Sequence, residues 1–257
     1  INLANARIKT KQVKDVARKT PTKRIRMPAK LADCSKHGIA GTELFIVEGD
    51  SAAGGLIAAR NPDTMAVFPI RGKLINLFKN SDEKVFANQE VVNIIKAIGL
   101  DLDPKSKTLI YDEKKLRYGK IFTACDADPD GQAIKNLLLT FFWSLCPELV
   151  INGHIWITMP PLYRITKGKD TYIYLKDDKE LEDYKKTHEG EKYLINRNKG
   201  LGEQDSSELG PCILDPETRN VAQIGVEDKT KADNLFDILS FFTTKNNFTF
   251  PSSDKLS

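Results

Sequence analysis

The sequence predicts an α/β protein in which a parallel sheet is flanked by helices and followed by a smaller α+β unit. Short apolar runs that end in charged corners alternate with longer segments of helical periodicity, a pattern typical of a parallel sheet. The 257 residues are enough to bury a sizeable core, and the 40% hydrophobic and 29% charged residues are typical of a globular protein.

The first strand-to-helix unit lies in the stretch "TELFIVEGDSAAGGLIAAR". Residues 44–47 predict a short buried strand, and residues 51–60 predict a helix of small and apolar residues. Glu48, Gly49 and Asp50 form a tight corner between them, where Asp50 or Ser51 is suited to cap the helix.

Further units of the same kind follow. Residues 65–68 predict a strand that ends in the basic corner "PIRGK", and "NQEVVNIIKAIGL" predicts an amphipathic helix that ends at Gly99. A strand ending at Asp126 precedes the predicted helix "QAIKNLLLTFFWSLCPEL", and "GHIWIT" supplies another strand. Beyond Leu162 the pattern predicts a hairpin and then a charged helix.

These changes of pattern divide the chain into a basic arm (1–41), a central α/β domain (42–158) and a tail (159–257). Residues 1–36 hold eleven Lys or Arg against two acids, whereas the whole chain has a net charge of only +4. A solvated arm and a segment that contacts nucleic-acid phosphates both fit such a run.

Composition excludes several classes of protein. Cys34, Cys125, Cys146 and Cys212 are widely spaced and contain no CxxC pair, which argues against a zinc site and a secreted disulfide framework. No apolar run approaches the length of a membrane span, and no signal peptide opens the chain. We expect a cytoplasmic protein with no membrane contact.

Three aspartates mark the strand end in "CDADPDG". Asp126, Asp128 and Asp130 occupy alternate positions, and like charges at 4 Å repel by about 4 kcal/mol at an effective dielectric near 20. Glu48 lies at an equivalent strand end, and the carboxyl ends of parallel strands are where ligands bind. Acidic corners flanking the basic corner favour magnesium-assisted phosphoryl chemistry.

Two other interpretations of the aspartates are less favourable. The pattern DxDxDG matches half of an EF-hand calcium loop, but its twelfth position is Leu137 instead of a bidentate Glu. The preceding segment also predicts a strand, where an EF-hand has a helix. A polar turn that caps the following helix is the structural alternative, which the second acidic corner at Glu48 disfavours.

Five motifs occur in an order known from one family. The stretches "EGDSA", "PIRGK", "DADPDG", "PPLYR" and "KGLGE" follow one another between Glu48 and Glu203. In this the chain resembles the Toprim domain, a Rossmann-like fold, and the following tail of bacterial type IIA topoisomerase B subunits, over about residues 28–240. The turn "KGLGE" at Lys199 to Glu203 is interpreted as structural.

The resemblance implies roles for the acidic residues. Glu48 matches a metal-binding residue that serves as general acid and base, while Asp126 and Asp128 match metal ligands that Asp130 supports. The implied cofactor is Mg²⁺, at up to two sites, which stabilises charge on the scissile phosphate. ATP would bind only in an N-terminal region that is absent from this chain.

The resemblance also implies roles for the residues of the basic corner. Arg71 and Lys73 match catalytic, DNA-binding residues beside the cleaved strand, and Asp50 and Arg71 match positions that border a quinolone-type drug site. The chain departs from the family pattern at Pro129 and at Gln132, which is compatible with a phage-encoded protein.

The resemblance implies double-stranded DNA and a topoisomerase A subunit as partners, in a heterotetramer associated with the nucleoid. The A subunit would supply the tyrosine that attacks DNA, so the fragment alone would be inactive. Two alternatives stay open: a Toprim-type nuclease or primase-like protein, and a non-catalytic DNA-binding assembly module. The sequence does not distinguish gyrase from topoisomerase IV activity.

Overall fold

The computed structural model describes residues 27–38, 40–77, 80–103, 105–126, 128–168, 171–198 and 200–226. Residues 1–19 of the basic arm, whose sequence is compatible with a helix, lie outside the described residues, as do Lys199 and residues 227–257. The strands are β1 (Glu43–Glu48), β2 (Met65–Ile70), β3 (Asp101–Leu102), β4 (Leu109–Ile110), β5 (Lys120–Ala124), β6 (Ile155–Thr158), β7 (Tyr163–Lys167), β8 (Thr171–Leu175), β9 (Leu194–Arg197) and β10 (Val221–Gln223).

The α-helices of the described residues are α1 (Asp50–Ala59), α2 (Asp82–Ala87), α3 (Gln89–Ile98), α4 (Pro129–Leu145), α5 (Pro147–Ile151), α6 (Asp178–Thr187) and α7 (Ser206–Leu209). Short 3₁₀ turns occur at Glu113–Lys115 and Leu201–Glu203, and a π-helical turn at Gly210–Leu214. In this part of the chain no helix has the length and apolar character needed to cross a membrane.

The predicted α/β fold class is confirmed. Among the described residues, the central sheet has the order β10-β6-β5-β1-β2, in which β6, β5, β1 and β2 run parallel and β10 is antiparallel to β6. A separate antiparallel sheet has the order β8-β7-β9, and α6 packs against it through Leu181 and Tyr184. The predicted hairpin and charged helix are therefore present.

Alternate residues of the central strands face two layers of core. Leu44 and Ile46 of β1 point toward the cluster that contains α3 and α4, whereas Phe45 and Val47 point toward the cluster that contains α1. Residues on both faces are fully buried, which explains why these strands are continuous apolar runs and not alternating ones.

Part of the tail completes the second layer. Leu201, Leu209 and Ile213 pack with Phe45 and Phe122 of the central sheet. The strand β10 also extends this sheet by pairing with β6. The division at residue 158 stays a prediction.

Several element boundaries differ from the local prediction. β5 ends at Ala124 and not at Asp126, and the single helix predicted over residues 132–149 is divided at Cys146 into α4 and α5.

Two further differences involve proline. β2 continues through Pro69 to Ile70, because this strand lies at the edge of the central sheet, where proline costs fewer hydrogen bonds. α4 begins at Pro129 instead of near Gln132, because proline is well tolerated in the first turn of a helix and Asp128 supplies the cap.

Candidate functional site

The parallel pairing of β1, β2 and β5 brings three predicted corners to one edge of the sheet, here called the carboxyl edge. Val47 pairs with Ala124 and Glu48 pairs with Ile70, so the chain leaves all three strands side by side. The acidic corners follow β1 and β5, and the basic corner follows β2. Gly49, with φ of 81°, makes the sharp turn from β1 into α1 that a residue with a Cβ would adopt only with strain. Gly49 is also the N-cap residue of α1, and no side chain caps the helix, so the predicted cap by Asp50 or Ser51 is wrong.

Glu48 and Asp126 meet at this edge. The backbone N–H of Asp126 donates a hydrogen bond to Glu48 Oε2 at 3.4 Å. Burial raises the pKa of Glu48, and the negative charges of Asp126, Asp128 and Asp130 raise it further. The carboxylates of Asp126, Asp128 and Asp130 thus repel the ionised form of Glu48, which is half-buried.

Asp126 also contacts the tail, through residues 200–203, here called the tail turn. The N–H of Leu201 donates to Asp126 Oδ1 at 2.7 Å. A Cβ added to Gly200 would lie 2.8 Å from Asp126 Oδ2. Burial and the charge of Asp128 raise the pKa of Asp126, and the hydrogen bond from Leu201 opposes that rise. Sequence reasoning missed this contact, for which the only signal was the pair of glycines that flank Leu201.

The other two aspartates already have partners. Asp128 Oδ1 accepts a 2.7 Å hydrogen bond from the N–H of Gly131 and caps α4, as the capping interpretation predicted. Asp130 Oδ1 lies 2.7 Å from Lys73 Nζ in an exposed ion pair. A Cβ on Gly131 would collide with the backbone of Asp126, so the aspartate loop needs glycine at that position.

The basic corner faces water. Arg71 Nε lies 3.0 Å from Asp50 Oδ2, and the side chains of Arg71 and Lys73 are 72% and 46% exposed. Exposed ion pairs contribute at most about 1 kcal/mol, so both cations can exchange their carboxylate partners for an incoming phosphate at low cost.

The donor set suits a hard divalent cation, since Mg²⁺ prefers carboxylate oxygens. The mutual repulsion at Glu48 would also be relieved by a cation. Within the ranges described, no group of three or more His, Cys, Asp or Glu side chains is arranged to hold a metal ion. The oxygen donors of these residues thus suit Mg²⁺ by their chemistry, whereas their described arrangement does not by itself form a metal site, and their assignment as ligands stays a prediction.

Two family models match this chain. Residues 43–160 match the Toprim domain, and residues 190–244 match the carboxyl terminus of the DNA gyrase B subunit. The chain is 42% identical over 224 residues to the DNA gyrase B subunit of Thermotoga maritima, covering 87% of this chain and 34% of that protein.

Topoisomerase IV proteins are similarly related. The chain is 41% identical over 225 residues to the DNA topoisomerase 4 B subunit of Caulobacter vibrioides, covering 87% of this chain and 32% of that protein. It is 39% identical over 253 residues to the corresponding protein of Rickettsia felis, covering 97% and 37%. The chain thus spans about a third of the length of these curated relatives.

Proposed function

The chain belongs to the family of DNA gyrase and topoisomerase IV B subunits, and on this premise we propose that it supplies the magnesium-binding half of a DNA cleavage and religation centre. The observation that carries the proposal is the contact between Glu48 and the Asp126 backbone at the carboxyl edge, where three further carboxylates repel Glu48. The metal, the DNA substrate and the partner subunit are all parts of this proposal.

Glu48, Asp126 and Asp128 would hold Mg²⁺ at one or two sites, with Asp130 supporting them. The bound ion would stabilise negative charge on the scissile phosphate. Glu48 would hold and return a proton at the DNA hydroxyl that forms on cleavage.

Arg71 and Lys73 would bind the DNA backbone beside the cleaved bond. Their exposure and their weak surface pairing with Asp50 and Asp130 support this role. The pair formed by Asp50 and Arg71 would also border a quinolone-type drug site.

The partners would be double-stranded DNA and a topoisomerase A subunit that contributes the attacking tyrosine. ATP would bind only in an N-terminal region that lies outside the residues of this chain, as the family resemblance implies. The assembled enzyme would work in the cytoplasm, at the nucleoid.

The test is reconstitution of cleavage. The chain is mixed with a cognate A subunit and supercoiled DNA, with and without Mg²⁺, and covalent protein–DNA complexes are trapped with detergent. We expect Mg²⁺-dependent cleavage with protein attached to DNA 5′ ends, and we expect Glu48→Gln to abolish it. Gly54→Ala in α1 is the matched control, because a Cβ there meets no atom within 4 Å.

The nuclease alternative makes the opposite prediction. If the chain without an A subunit nicks DNA in the presence of Mg²⁺ and leaves free ends, Glu48 serves hydrolysis by water and the topoisomerase proposal is wrong. If Glu48→Gln cleaves as well as the unmodified chain, the site is not at the carboxyl edge.

A further inference from the structure

We propose that Gly200 and Leu201 of the tail turn are positioning residues that orient the Asp126 carboxylate for metal binding. This inference rests on the proposed function, because it concerns a ligand of the same metal site. It adds residues from the tail to a site whose predicted ligands all lie in residues 42–158.

Both oxygens of Asp126 face the tail turn. Oδ1 accepts the hydrogen bond from the N–H of Leu201 at 2.7 Å, and Oδ2 lies 2.8 Å from the point that a Cβ on Gly200 would occupy. Gly200 has φ of −162°, an extended conformation that any residue adopts. A Cβ at residue 200 would therefore displace the Asp126 carboxylate, although the backbone angle itself suits any residue.

The tail turn is held firmly enough to impose this geometry. The Leu201 side chain is 1% exposed and packs in the same cluster as Ala52 and Leu56 of α1. Leu209, shortly after the turn, lies so close to α1 that a Cβ on Gly55 would come within 2.5 Å of its methyl group.

Helix α1 also lies close in sequence to Glu48, the other predicted metal ligand that the tail turn affects. Since α1 starts at Asp50, immediately after the Glu48–Gly49 corner, its packing against the tail turn relates the position of Asp126 to that of Glu48. The tail turn thus positions one ligand relative to another.

The hydrogen bond leaves Asp126 able to bind a cation. An ionised carboxylate has about four acceptor positions, and one N–H donor occupies one of them. Ligating carboxylates are commonly held by such donors, and loss of an outer-shell partner typically costs about 10–100-fold in metal affinity. The N–H of Leu201 is such a donor, and it comes from the backbone.

The experiment measures the affinity of the full chain for Mn²⁺ by electron paramagnetic resonance, without DNA or A subunit. We expect Gly200→Ala to weaken Mn²⁺ binding by about tenfold or more. Gly202→Ala is the matched control in the same turn, since its Cβ would meet only Ser51 and Ala52, at 3.3 and 3.6 Å; we expect a change within about twofold. Thermal unfolding without metal reports whether each variant is folded.

Glu48→Gln in the same assay distinguishes the two proposals. If Glu48→Gln weakens Mn²⁺ binding and folded Gly200→Ala does not, the positioning role is wrong and the metal site stands. If Glu48→Gln has no effect, the proposed metal site is wrong and the positioning role is rejected with it.

A second measurement covers the case in which Gly200→Ala does not fold. Hydrogen exchange of the Leu201 amide in the unmodified chain is measured by NMR with and without Mg²⁺, and in Asp126→Ala as the unprotected reference. We expect protection to persist when Mg²⁺ binds. Loss of protection to the level of Asp126→Ala would mean that the tail turn competes with the metal, and would overturn the inference.

Discussion

At the scale of single residues, several opposing effects act on the charge of the Asp126 carboxylate. It is half-buried, it lies near other carboxylates, and it accepts a hydrogen bond from the tail. Its charge in turn contributes to the raised pKa of Glu48. Without a cation, the ionised form of this cluster opposes folding, since each added negative charge raises the cost of the others.

Asp126→Asn separates the stability of the cluster from its function. We expect the free energy of unfolding without metal to stay the same or rise, because the amide oxygen still accepts from Leu201 N–H and one repulsive charge is removed. Cleavage by the reconstituted enzyme should fall by about two orders of magnitude, the usual scale for losing one electrostatic contact to a transition state. Urea unfolding and the covalent-complex assay measure the two effects.

Asp130→Asn is the comparison for this substitution, because the proposed function gives Asp130 only a supporting role and its side chain is exposed and paired with Lys73. It removes the same charge without touching the tail turn, so its effect on cleavage should be clearly smaller. Cleavage by Asp126→Asn near the unmodified level at limiting Mg²⁺ would exclude Asp126 as a metal ligand.

At the scale of secondary structure elements, the corner after β2 presents the two cations that the proposed function assigns to DNA binding, Arg71 and Lys73. Its two cations are exposed and extend from the same edge as the acidic corners. An edge strand followed by a glycine turn, with Gly72 at φ of 73°, presents both side chains to solvent.

The double variant Arg71→Ala and Lys73→Ala should weaken DNA binding and flatten its salt dependence. Each lost phosphate contact lowers the slope of log affinity against log salt by about 0.9, so two contacts predict a change of about 1.8. Lys179→Ala with Lys185→Ala, two exposed positions on α6, removes the same charge elsewhere. Fluorescence anisotropy across a salt series measures DNA affinity for both double variants. If the slope of log affinity against log salt flattens equally in both, the basic corner does not contact DNA.

At the scale of the whole molecule, the tail and the central sheet share one core. Arg219 donates two 2.7 Å hydrogen bonds to the Glu43 carboxylate at the start of β1, and their side chains are 4% and 8% exposed. The Arg219 guanidinium also lies 4.6 Å from the centre of the Phe122 ring. The tail therefore contributes both apolar packing and a buried ion pair to the central domain.

Arg219→Met should destabilise the chain by about 3–5 kcal/mol, because it leaves the Glu43 carboxylate buried without its partner. Adding Glu43→Met should recover most of that loss, since a buried ion pair replaced by apolar side chains is often neutral in stability. Urea unfolding should give a single transition that shifts as a whole. A shift confined to a separate tail transition would mean that the two parts fold independently.

Local patterns were sufficient to predict the α/β class, the main strands and helices of the central sheet, and the meeting of acidic and basic corners at one edge. The reason is that burial on both faces makes parallel strands continuously apolar, and that parallel strands end on the same side of a sheet. They were also sufficient to place Glu48 and Asp126 at the same edge, because the two residues occupy equivalent strand ends. The structure showed that β1 and β5 are adjacent, which makes the two residues neighbours. Local patterns did not predict α2, β3, β4, β9 or β10.

Only the tertiary structure decided which partners these side chains have. Leu201 lies 75 residues from the Asp126 oxygen it binds, and Arg219 lies 176 residues from Glu43. Such contacts depend on how the tail packs against α1 and β1. That packing cannot be predicted from the periodicity of hydrophobic residues or from a motif of a few residues. Gly200 illustrates the difference: from its neighbours it is a turn residue, whereas in the folded chain a Cβ at this position would displace the Asp126 carboxylate.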